Sequence, residues 1–119
     1  KQNSNLETGM PGYVYYVSFR DLDIEVPVPP LAVQCYPNPF NPELTISFSV
    51  GETHEVKLDI YNIRGQKVRS LVNETFRPDT YNIVWSGYDN RGRKVSSGVY
   101  YIRLQVGNDI VNEKVILMK

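Results

Sequence analysis

The chain holds one cysteine, Cys35, and one histidine, His54. A single cysteine excludes an intrachain disulfide, so the fold must be held by packing. Cys35 stands beside a predicted strand with no base near it, and it reads as a small apolar residue instead of a nucleophile. His54 falls in a predicted exposed turn, which leaves no nucleophile and base to pair. No His or Cys group has metal-ligand spacing, so carboxylates are the only candidates for a hard cation such as calcium. Asp21, Asp23 and Glu25 share one face of a predicted strand, and Asp89 and Asn90 lie in a glycine-containing loop. Both groups read as ordinary solvent-face and turn chemistry. No catalytic residue, metal or cofactor is expected, and the chain is not read as an enzyme.

Long apolar runs are also missing. No stretch approaches the roughly 20 residues needed to span a bilayer, and residues 1–8 lack the apolar core of a signal peptide. Because the chain opens at Lys1 without an initiating Met, it is expected to be a piece of a longer protein. There is no excess of either charge: 13 basic and 13 acidic residues are intermixed, so no footprint for nucleic acid is present. The 119 residues suit one domain. A hydrophobic content of 41% against 22% charged supports a folded core over disorder.

What the sequence does contain is a period of two, the spacing of side chains on alternate faces of a strand. Leu44, Ile46, Phe48 and Val50 face one way, and Thr45, Ser47 and Ser49 the other. Val56, Leu58 and Ile60 alternate likewise, and residues 51–55 are expected to join these two strands as a hairpin. Asn62, Ile63, Arg64 and Gly65 form a tight-turn signal before a strand over about 66–72. Residues 73–80, polar and containing Pro78, are expected to be loop. Tyr81, Ile83 and Trp85 resume the alternation, with Trp85 in the core. Residues 86–98 read as a long hairpin connection with a short strand near 93–95. Strands over 100–106 and 110–118, joined at Gly107 and Asn108, close the chain. With no sustained helical period, the expectation is an all-β, immunoglobulin-like antiparallel sandwich of about seven strands with an extended N-terminal tail.

Pro27, Pro29 and Pro30 mark a boundary, since such a run avoids central strands and favours polyproline geometry. Residues 31–119 are expected to form the sandwich. Residues 1–30 are expected to be a tail or linker with two strands, around Tyr13 to Phe19 and Leu22 to Val26, that either end a preceding domain or add an edge to this one.

Tyr36, Pro37, Asn38, Pro39, Phe40, Asn41 and Pro42 place three prolines in seven residues, a stiff lead-in with two aromatic anchors. Together with residues 56–68 (VKLDIYNIRGQKV, including Gly65), Trp85, Gly87, Asp89, Gly92, Gly98, Tyr100 and the terminal residues 113–119, this pattern resembles the type A C-terminal sorting domain of proteins exported by the type IX secretion system. The resemblance covers residues 31–119. It implies a non-catalytic sorting domain that directs a larger N-terminal passenger across the outer membrane, with the secretion machinery and a sortase-like peptidase as partners. The implied route is periplasmic transit followed by release or display at the cell surface. By the same resemblance, the recognised residues are Lys114, Val115, Ile116, Leu117, Met118 and Lys119. A terminal strand is also a place where a receptor can pair with backbone or capture Lys119.

Two alternatives stand beside it. An Ile-Tyr-x-x-x-Gly turn and a Trp-x-Gly-x-Asp loop also resemble the immunoglobulin-like domain of flagellar hook-capping proteins, a structural role. The nine tyrosines allow a sugar platform, although outward ones such as Tyr61 and Tyr101 are expected to be scattered over separate strands.

Overall fold

A computed structural model describes residues 15–19, 24–28 and 31–119. The chain divides into two compact units, Lys1–Pro30 and Leu31–Lys119. In the first, β1 (Tyr15–Phe19) and β2 (Ile24–Val28) pair antiparallel. Strand β2 runs through Pro27 to Val28, further than its prolines suggest, because each strand of a two-stranded sheet has an edge that needs no amide. Asp21 and Asp23, weighed above as cation ligands, lie outside the described residues.

The second unit is built from seven strands: β3 (Val33–Tyr36), β4 (Leu44–Val50), β5 (His54–Asn62), β6 (Lys67–Phe76), β7 (Asp79–Trp85), β8 (Gly98–Val106) and β9 (Asp109–Leu117). They form two sheets, in the orders β3-β4-β7 and β6-β5-β8-β9, with every pairing antiparallel. The alternating apolar residues face each other between the sheets. Leu44, Ile46, Phe48 and Trp85 on one side meet Val56, Leu58, Ile60, Ile102, Leu104, Val115 and Leu117 on the other, all nearly without solvent contact. This order is the immunoglobulin arrangement, with β6 in the place of the extra strand beside the third. The Tyr100 hydroxyl donates to the carbonyl of Ser96 at 2.7 Å. That bond is the tyrosine corner expected at the start of the sixth sandwich strand.

Two expected hairpins are sheet crossings. β4 and β5 lie in different sheets, as do β7 and β8. Alternation shows which face of a strand is buried but not which strand lies beside it, and two strands that bury their apolar faces on each other read the same as a hairpin. The loop expected over 73–80 also contracts: β6 runs to Phe76 and β7 starts at Asp79. The polar residues there belong to an edge strand, and Phe76 packs between Phe48 and Tyr81, with centroids 6.4 and 4.3 Å away. Edge position also explains the register shifts where β6 meets β5, since bulges twist an exposed strand away from unwanted partners.

Cys35 is half-buried on β3. Burial, helped by the charge of Glu113, pushes its thiol up to about 12.

A candidate recognition end of the sandwich

The motif residues, dispersed along the chain, meet at one end of the sandwich. There β5 turns into β6, β7 leaves from Trp85, β8 begins at Gly98 opposite Leu117, and residues 37–43 connect β3 to β4. Trp85 organises this end from inside. It packs against Phe40 at 5.7 Å and edge-on to Tyr100 at 5.4 Å, and its indole N–H donates to the Tyr88 carbonyl at 2.9 Å. A buried Trp needs such a partner. Gly87 holds the chain in the left-handed region, φ 81°. It also sits in van der Waals reach of Leu117 and the Pro42 carbonyl, since an added Cβ would meet each at 3.8 Å.

The proline-rich lead-in is a latch on the last strand. β9 is an edge strand whose outward backbone groups belong to its even-numbered residues. The Phe40 N–H donates to the Ile116 carbonyl at 2.9 Å, and the Met118 N–H donates to the Phe40 carbonyl at 3.0 Å. One residue pair further along, the Asn38 carboxamide replaces backbone: its Nδ2 donates to the Lys114 carbonyl and its Oδ1 accepts from the Ile116 N–H, both at 3.0 Å. Three prolines leave residues 36–42 short of amide donors, and the Asn38 side chain supplies the missing one. Tyr36, Pro37, Pro39, Asn41 and Pro42 are exposed, while Phe40 is buried.

Loop 86–97 is braced by Asp89. Its Oδ1 accepts the N–H groups of Arg91 and Arg93 at 2.9 Å each, and its Oδ2 lies 3.3 Å from the Arg93 Nε. The Arg93 N–H bond first, and then the other bonds and the Arg93 charge, hold the Asp89 carboxyl below its ordinary value. The short strand expected at 93–95 is a single bridge, Tyr88 to Lys94. Gly92 donates to the Asp89 carbonyl. Asn90 then docks the loop on the opposite edge strand, β6: its N–H reaches the Val68 carbonyl and its Oδ1 accepts the Ser70 N–H, both at 3.0 Å. Both edges of the four-stranded sheet are therefore closed at this end by an asparagine acting as a strand residue. Gly65 completes the β5–β6 turn, its N–H on the Asn62 carbonyl and its φ at 78°.

Of the terminal residues, Val115 and Leu117 are core, Ile116 is half-buried, and Lys114, Met118 and Lys119 are exposed. β9 stays at the edge of its sheet. Most outward backbone groups of residues 114–118 are taken within the chain itself. The Lys114 carbonyl, both Ile116 groups and the Met118 N–H already have partners in the latch. The Lys119 ammonium likewise rests on the Val95 carbonyl, and its N–H on Ser97 Oγ. Tyr61 and Tyr101 are also closer than expected, being direct partners across β5 and β8. Among the described residues no group of His, Cys, Asp and Glu is placed to hold a metal ion, and no helix is long and apolar enough to cross a membrane.

The model of the secretion system C-terminal sorting domain family matches residues 34–118. The chain belongs to this family. Its members are sorting signals for type IX secretion, and the matched span begins within β3 and includes the latch, the Trp85 loop and the last strand. Among solved structures the chain is similar to PorZ, an essential bacterial surface component of the type IX secretion system of Porphyromonas gingivalis. The identity is 19% and the TM-score 0.53, over 74% of this chain and 12% of that one. That likeness shows the shared sandwich fold, and the chain spans a small part of the other protein's length. No curated protein matches.

Proposed function

We propose that this sandwich is the non-catalytic carboxyl-proximal signal by which the type IX machinery carries a larger passenger across the outer membrane, and that the feature read is the latched end of β9. The passenger lies upstream of the sandwich. It reaches the periplasm first and finishes outside the cell or on its surface, where a sortase-like peptidase removes the signal. Residues 31–119 act as the sorting domain, and Lys114, Ile116, Met118 and Lys119 present its surface.

The single observation that supports this reading is the hydrogen bonding of residues 38–40 to residues 114–118. It joins two motifs 76 to 78 positions apart into one rigid surface. A receptor that engages that surface reads both segments at once, and so senses that the sandwich has folded. The test is a fusion of the 119-residue chain to a periplasmic reporter in a host with type IX secretion. The reporter is expected in the medium or on the surface, and truncation after Lys114 is expected to keep it in the periplasm. Retention of the intact fusion, or equal export by the truncated one, would sink the proposal.

A further inference from the structure

An open depression of about 830 Å³ lies at the same end of the sandwich as the latch, between the β5–β6 turn and loop 86–97. Its wall carries Lys67, Arg91, Arg93 and Lys94, with Asp89 as the acid in the wall and Asp59, 3.6 Å from the Lys67 ammonium, behind it. Both Asp89 oxygens are engaged by the loop itself and by Arg93. Arg91 and Lys94 have no ion pair among the described residues. Lys119 leans onto the same rim at Val95, and Arg69 reaches in from β6 to the Asp89 carbonyl at 3.1 Å while its Nε is buried without a hydrogen-bond partner.

In a chain with no net charge, this concentration must be balanced elsewhere. Glu52, Glu55, Asp79 and Asp109 start or precede strands at the opposite end. A nine-residue strand such as β5 is about 30 Å long at roughly 3.3 Å per residue. That exceeds the screening length of about 8 Å at physiological salt. The far acids therefore leave the depression electropositive.

We propose that this depression docks an acidic peptide segment of the secretion machinery; the proposal rests on the sorting role and adds the chemistry of the partner. The volume falls in the range of small-ligand clefts, about 300 to 1,000 Å³, and so holds a few extended residues. Arg91, Arg93 and Lys94 follow one another along loop 86–97 and Lys67 stands across from them on β6, a row that suits carboxylates spaced along a peptide better than one compact anion. Bases would need an exposed aromatic to stack on, and the one aromatic in the wall, Tyr100, is buried with its hydroxyl on Ser96.

Hexaglutamate titrated into the full chain is expected to bind saturably at one site, with amide shifts confined to residues 62–68 and 89–96. The double change R91E/K94E is expected to weaken binding at least tenfold. K57E, on the middle of β5 and outside the depression, is expected to leave it unchanged. Absent saturation, shifts spread over the sheets, or equal binding by R91E/K94E overturns the site. Tighter binding of oligothymidylate or anionic vesicles at the same residues, or head-to-tail association of the chain, overturns the peptide assignment. Export of the reporter fusion is scored separately: an exported wild type that does not bind hexaglutamate sinks this inference and leaves the sorting role standing.

Discussion

Asn38 and Asn90 do the same work on opposite edges of one sheet, each presenting an oxygen where a neighbouring strand would present a carbonyl. Replacing Asn38 by Ala removes two bonds that hold β9, and the expected loss is about 1 to 2 kcal/mol in denaturant unfolding. Trp85→Ala removes the ring that Phe40 and Tyr100 pack on and is expected to cost about 3 to 5 kcal/mol. Two titrations follow from the environment. The Asp89 carboxyl is held below its ordinary 3.8, so its contribution is complete above that value and is lost as pH falls through the lower folded value. Asp89→Asn is expected to flatten that part of the stability profile. Burial, and after it the Glu113 charge, pushes the Cys35 thiol from its ordinary 9.0 up to about 12. Stability it contributes is present below pH 9 and is lost as pH rises toward 12, and alkylation of the native protein at pH 8 is expected to be far slower than that of the unfolded chain. The identity of these residues was visible in the sequence, but their partners were not. Asn38 reads locally as a turn-capping residue, and nothing in its neighbourhood points 76 positions ahead.

At the scale of the element, alternation located nearly every strand of the sandwich, because burial on one face leaves a period-two record. It failed where an element's neighbour mattered more than its face, as at the two sheet crossings. It failed again at the end of β6, where an edge strand carries polar residues on both sides and reads as loop. The latch divides β9 into two regimes. Among the described residues the outward N–H groups of Ile110 and Asn112 have no backbone partner, whereas those of Ile116 and Met118 are bonded to Asn38 and Phe40. Hydrogen exchange is expected to be slow at Ile116 and Met118 and fast at Ile110 and Asn112. In the Asn38→Ala variant, Ile116 is expected to join the fast group. Equal protection along the whole outer edge would show that the latch does not govern it.

At the scale of the molecule, the sandwich has two unlike ends. One gathers the motif residues, the terminal strand and a cluster of cations. The other carries acidic strand starts and the Phe48, Phe76 and Tyr81 stack. The convergence could not be read from the sequence, since the motif pieces come from four separate stretches that only the crossings between sheets bring together. The dispersed motif residues are thereby gathered at one end of the sandwich, some in its core and some on its surface. The most direct measurement is the exported fraction of a reporter fused to the chain carrying Asn38→Ala, with thermal unfolding recorded on the same protein. If the latched end of β9 is what the machinery reads, export falls several-fold although the sandwich remains folded at the growth temperature. Unchanged export by a folded variant whose Ile116 amide exchanges freely would contradict the account.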